Sequence, residues 1–119
     1  MKEYLLVALG GALGSMLRYT ISALALMLNA TSLAATFVAN VCGAFLIGLI
    51  MSTVTNSSLV LFGTVGVCGG FTTFSTFSVQ TLQLFQSGQY GLALGYALAS
   101  VVSCMIFVYL GMSLGRFIR

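Results

Sequence analysis

The sequence predicts an all-α integral membrane protein of four transmembrane helices, the third of them broken near its middle. Three observations carry that expectation. Hydrophobic residues make up 60% of the 119 and charged residues 4%, and the mean hydropathy is +1.15, far outside the balance of a water-soluble domain. Apolar runs fall at about 4–27, 33–52, 59–85 and 90–114, each long enough for the roughly 20 residues that cross a bilayer as helix. The third run holds Gly66, Gly69 and Gly70. In lipid, such a cluster is tolerated in a spanning helix only where protein or trapped water satisfies the freed amides.

The first run is too long for a signal peptide and is read as a span. It carries Gly10 and Gly14 at spacing four and Arg18 further along. The second has Asn40 near its middle and Thr36 one turn before it. In the third, Thr73, Thr76, Gln80 and Gln83 follow i, i+3, i+7, i+10, beside a neighbouring stripe of Phe74, Phe77, Thr81 and Phe85. The fourth places Tyr96, Ser100, Ser103 and Phe107 on one face and has two further glycine pairs, Gly91 with Gly95 and Gly111 with Gly115. Small residues at this spacing let backbones approach closely in lipid, where van der Waals contact drives association.

The separators are short: Asn29 to Ser32, Asn56 to Ser58 and Gln86 to Gln89. They impose an up-down-up-down order within a single domain over residues 1–119 and leave no extramembrane body for nucleic acid or a soluble substrate. The cations Lys2, Arg18, Arg116 and Arg119 are scattered and form no nucleic-acid patch. Three of them lie near the termini, which an even number of spans puts on one side, so the positive-inside rule favours both ends in the cytoplasm. A four-span chain of this size buries few helix faces alone, and a dimer is expected.

The chemistry is narrowed by what is missing. There is no His and no Asp, and the sole Glu is Glu3 at the water boundary, so neither a general base nor a carboxylate metal site can be built within the membrane. An enzyme is not expected. Proton-coupled export of cationic drugs needs a membrane-embedded carboxylate, which none of the spans contains. A purely structural membrane subunit would explain the glycine pairs but not the hydroxyl–phenylalanine alternation. Cys42, Cys68 and Cys104 fall one per span without ligand spacing and read as small hydrophobes.

An isolated Ser or Thr in a span back-bonds to its own helix. An Asn and several aligned hydroxyls at membrane depth point instead to a pathway. Amide and hydroxyl donors replace water around an anion, and phenyl ring edges add positive quadrupole, which favours a small, hard anion. Carbonyls of a broken helix around Gly69 to Thr72 suit a hard cation.

GGALGSMLRY at 10–19, NVCGAFLIG at 40–48 and GVCGGFTTFSTF at 66–77 resemble the small bacterial fluoride channels, the Fluc or CrcB family, over essentially the whole chain. The resemblance implies an antiparallel dimer of four-helix subunits in the bacterial inner (cytoplasmic) membrane, with two pores that let fluoride leave the cytoplasm passively. It implies Phe74 and Phe77 as pore rings, Asn40 and Thr76 as pore residues, and Tyr96, Ser100 and Ser103 as the polar track of the fourth span. A buried, untransported Na⁺ at the dimer centre would be held by the main-chain carbonyls of Gly69 and Thr72. Ligands without formal charge favour a monovalent ion over Mg²⁺ or Ca²⁺. Arg18 matches the arginine of the first-span pattern, as a structural or pore-mouth residue, or else snorkels to the headgroups. Lys2, Arg116 and Arg119 on one side against at most Arg18 on the other depart from the balance that a dual-orientation subunit needs. A homodimer and a heterodimer with a paired homologue both remain open.

Overall fold

The computed structural model describes residues 1–119, and its regular structure is entirely helical. α1 (Lys2–Met27) and α2 (Ser32–Thr53) are continuous. The third span is composite: α3 (Ser57–Leu61), a π-helical segment (Phe62–Cys68), the single turn α4 (Gly69–Phe71) and α5 (Phe74–Gln86). The chain closes with α6 (Tyr90–Ile118). Four stretches, Lys2–Met27, Ser32–Thr53, Ser57–Gln86 and Tyr90–Ile118, are long and apolar enough to cross a membrane. The long axis, 48 Å, exceeds the roughly 30 Å hydrocarbon core.

Side chains with competing hydrogen-bond capacity set the helix starts. Thr31 accepts from the N–H of Ala34 at 3.2 Å and Asn56 from that of Leu59 at 3.1 Å, so each satisfies one of the orphan donors of a helix N-terminus. Two helices stop in the left-handed conformation, at Asn29 (φ 55°) and Gly88 (φ 79°). There the N–H groups of Ala30 and Gln89 reach back to the carbonyls of Ala25 and Leu84, at 2.8 and 2.9 Å, as in a Schellman stop. Both turns consist of residues that adopt positive φ readily, which is why the hairpins are so tight.

Packing follows the glycines. α2 lies along α6 as the most extensive helix pair, and α1 lies along the π-helical segment and α4. A Cβ on Gly10 would stand 2.7 Å from the carbonyl oxygen of Phe62, and one on Gly14 would press on the Val67 carbonyl. Gly48 faces the Val108 carbonyl and Gly111 the Phe45 carbonyl across the α2–α6 seam. These contacts are backbone to backbone, the mode that operates where lipid removes the hydrophobic drive. Gly91 and Gly95 differ, with nothing within 4 Å of either. Within the subunit their face has no partner. Only 21 of 119 residues are buried, so most apolar side chains face outward, as a spanning bundle requires.

The π-helical segment is where the third span departs from a simple bent helix. Its i→i+5 bonding widens the turn, a rare arrangement associated with functional sites. Gly63 and Gly66 are buried in it, and Gly66 meets α1 backbone at Gly10 Cα. The hydroxyl of Thr64 donates to the Val60 carbonyl at 2.8 Å, giving that carbonyl a side-chain partner just where the ladder widens.

Candidate functional site

The break lies at Thr72 and Thr73, both in extended conformation (φ −80°, ψ 157° and φ −148°, ψ 117°), which suits β-branched residues. Two extended residues inside a span release backbone groups that the membrane cannot hydrate. Several of the groups at the break find partners. The N–H and the hydroxyl of Thr72 both donate to the Cys68 carbonyl at 2.9 Å. Asn40 then clasps the next residue: the Thr73 N–H donates to its Oδ1 at 2.8 Å, and its Nδ2 donates to the Thr73 carbonyl at 3.1 Å. Thr73 Oγ1 caps α5 by accepting from the Thr76 N–H at 3.3 Å.

The break frees four carbonyls, those of Gly69, Gly70, Phe71 and Thr72, whose donors in a continuous helix would be the N–H groups of residues 73 to 76. In a continuous helix the Thr73 N–H would serve the Gly69 carbonyl and the Thr76 N–H the Thr72 carbonyl, but those donors go to Asn40 and to Thr73 Oγ1. Gly69 and Thr72, at the two ends of this set, are therefore left with carbonyl oxygens lacking their helical partners, and the one carboxylate side chain of the chain, Glu3, lies in the first turn of α1. Uncharged oxygen donors of this kind fit a monovalent hard cation.

Two cavities meet at the break. The larger, about 480 Å³, is lined by Asn40, Phe74, Phe77 and Ser100 from the pathway set, with Gly69 and Thr72 on the same wall. Ser100 is 5% exposed and its hydroxyl has no hydrogen-bond partner. A buried hydroxyl left unpaired at membrane depth costs about 1–3 kcal/mol, and the residue that carries it is among those lining this cavity. The smaller cavity, about 260 Å³, joins Arg18 to the hydroxyl residues Ser15, Ser22, Thr36, Thr73 and Thr76. Thr73 lines both.

The aromatic rings form a ladder. Phe74 and Phe77 have centroids 5.5 Å apart at 42°, and Phe77 and Tyr96 are 5.3 Å apart at 43°. In tilted pairs a ring edge points toward a neighbouring face, the arrangement that the quadrupole favours. The Tyr96 hydroxyl donates to Gln80 Oε1 at 2.7 Å, while Gln80 Nε2 donates to the Ser32 carbonyl at 3.2 Å. One glutamine thus ties α5 to the start of α2 and to α6.

The sequence-derived residues divide as follows. Asn40, Phe74, Phe77, Ser100, Gly69 and Thr72 share the large cavity; Thr76 and Arg18 share the small one. Tyr96 is reached through the Phe77 ring, and Ser103 lines neither cavity. Two further positions at the candidate site were legible only as members of a stripe: Thr73, which lines both cavities, and Gln80, the partner of Tyr96. A threonine three residues before another at a helix start is the signal for the first. For the second it is an amide that continues the Thr73–Thr76 stripe.

Comparison with known proteins identifies the family. Residues 5–112 match the family described as CrcB-like protein, Camphor Resistance (CrcB). A protein of Thermus thermophilus named "Fluoride-specific ion channel FluC" is 48% identical over 97% of this chain and 96% of its own length. A protein of the same name from Agrobacterium fabrum is 43% identical over 93% and 94%. "Fluoride-specific ion channel FluC 2" of Staphylococcus saprophyticus is 40% identical over 95% and 96%. With the family matched over nearly all of the chain and identities of this size across it, the protein is a multi-pass membrane protein belonging to the CrcB-like family.

Proposed function

We propose that the protein is a fluoride-selective passive channel through which fluoride leaves the cytoplasm. The observation that carries this reading is the large cavity, in which an unpaired buried Ser100 hydroxyl, the Asn40 amide and the Phe74 and Phe77 rings meet without a formal charge. Hydroxyl and amide hydrogens and ring edges solvate a small anion closely, and no fixed cation holds it too tightly to leave. Arg18 and the hydroxyls around it would form a pore mouth that concentrates anions beside Thr76. Tyr96 and, further along α6, Ser103 would extend the track. The curated relatives bear the fluoride-channel name.

The working unit is a dimer with subunits in opposite orientation, and the break faces its centre. Supporting this are Phe74, 76% exposed in the single subunit, and the two carbonyls of Gly69 and Thr72, too few by themselves to enclose an ion. Two copies of the break would supply four carbonyls around one Na⁺, which holds the dimer together and is not transported. Relatives numbered 1 and 2 and the one-sided Lys2, Arg116 and Arg119 support a paired homologue as the second subunit.

Fluoride, chloride and proton fluxes from liposomes carrying the purified chain, alone and with a paired homologue where one is encoded, test the reading. Passive fluoride efflux indifferent to a proton gradient, with chloride largely excluded, is the expected result. Comparable chloride flux, or uphill fluoride movement driven by protons, overturns it.

A further inference from the structure

We propose that Gly43 is a positioning residue for the third-span break, forming with Asn40 a seat on α2 that receives the Thr72 methyl group and the Thr73 peptide. This inference rests on the channel reading above and adds a residue to it. Asn40 and Gly43 are three residues apart on a helix and so share a face. Asn40 holds the Thr73 peptide at both ends. One turn on, a Cβ at Gly43 would collide with Thr72 Cγ2 and lie 3.4 Å from Phe71 Cδ1. The Thr72 methyl therefore occupies the space that the glycine leaves.

Thr72 has little freedom to move aside. Its hydroxyl is bonded to the Cys68 carbonyl at 2.9 Å, so rotating χ1 to withdraw the methyl breaks that bond, and a β-branched side chain has few alternative rotamers. Shifting the backbone instead displaces the Thr72 carbonyl, one of those that lack a helical donor. Moving Thr73 with it would loosen the Asn40 clasp, which keeps the Thr73 N–H away from the Gly69 carbonyl. A single methyl group at position 43 thus acts on the cation-facing carbonyls and on the Asn40 amide together, though it touches neither ion.

Glycine at 43 and the methyl of Thr72 are a matched pair, and a double-mutant cycle isolates the match. Gly43→Ala is made in the natural chain and in the Thr72→Ser background, where Cγ2 is gone and the hydroxyl remains. Fluoride efflux from liposomes is measured for all four proteins at equal protein density. Hydrogen exchange of the 72–76 amides in detergent is measured in parallel. In the natural background Gly43→Ala lowers flux by about tenfold or more and speeds exchange at the break, the scale expected of overpacking; in the Thr72→Ser background it changes either by less than about threefold. A variant that fails to accumulate in the natural background but is recovered by Thr72→Ser supports the seat equally. An equal loss in both backgrounds, or natural flux and exchange in Gly43→Ala, overturns the seat. Absence of flux from the natural chain overturns the channel reading, and the exchange arm then decides the seat by itself.

Discussion

Phe77 touches rings on both sides, Phe74 on its own helix and Tyr96 on α6, whereas Phe74 is 76% exposed in the subunit. Replacing either by Ile keeps bulk and removes the quadrupole. Each change is expected to lower fluoride efflux by about tenfold or more, while subunit stability falls by about 1–2 kcal/mol for Phe77→Ile and by less than about 1 kcal/mol for Phe74→Ile. Efflux assays and thermal unfolding in detergent separate the two effects; normal flux from both variants would move the pore elsewhere. Asn40→Asp keeps an acceptor for the Thr73 N–H but sets a second oxygen against the Thr73 carbonyl in place of the Nδ2 donor. Loss of flux is expected, together with faster exchange at Thr73 and about 1–3 kcal/mol of destabilisation. Flux lost with exchange unchanged would mean that the clasp survives and that Asn40 acts only on the anion.

At the scale of elements, the glycine pairs are not equivalent. Gly14→Ala forces a methyl against the Val67 carbonyl and to within 2.8 Å of the Phe71 nitrogen, separating α1 from the third span. A loss of about 1–3 kcal/mol or more is expected, as reduced yield and a lower unfolding temperature. Gly91→Ala and Gly95→Ala meet nothing within 4 Å, so the subunit itself is expected to be unaffected, within about 0.5 kcal/mol. Any effect of those two on cross-linked dimer yield reports a face used between subunits. Sequence spacing made the three pairs look alike. Which face of α6 turns inward is settled by the α2–α6 seam, where Gly48 and Gly111 admit the Val108 and Phe45 carbonyls.

For the whole molecule, the open side of the break is decisive. A Cβ on Gly69 has only the Thr64 carbonyl nearby, at 3.7 Å, so Gly69→Leu is accommodated within one subunit. The expected outcome is a folded, helical subunit whose dimer lifetime is shortened by about tenfold or more, since a bulky side chain there blocks close backbone approach. Subunit exchange followed by fluorescence measures it, and an unchanged lifetime would remove Gly69 from the dimer centre. Prolonged replacement of Na⁺ by a large organic cation is expected to shorten the dimer lifetime of the natural protein in the same assay. Unchanged assembly and flux would leave the carbonyls without a structural ion.

Hydropathy, turn residues and glycine clustering act over a few neighbouring positions, so the four spans and their order are written in the primary structure alone; the glycine cluster marks the break only to within a few residues, since Gly66, Gly69 and Gly70 are helical and the extended residues are Thr72 and Thr73. Asn40, Phe74, Phe77 and Ser100 stand out there as well, since polarity and aromatic alternation at membrane depth are visible one residue at a time. How the break is satisfied is a matter of three-dimensional packing. The partner of the Thr73 N–H lies 33 residues away in Asn40, and no local pattern encodes a bond over that separation. Packing also brings Thr76 beside Arg18, leaves Ser103 outside both cavities, and carries the third span through a π-helical segment. Those outcomes depend on how closely α1 and α2 approach the third span, and the approach distance is set by side chains on both partners at once.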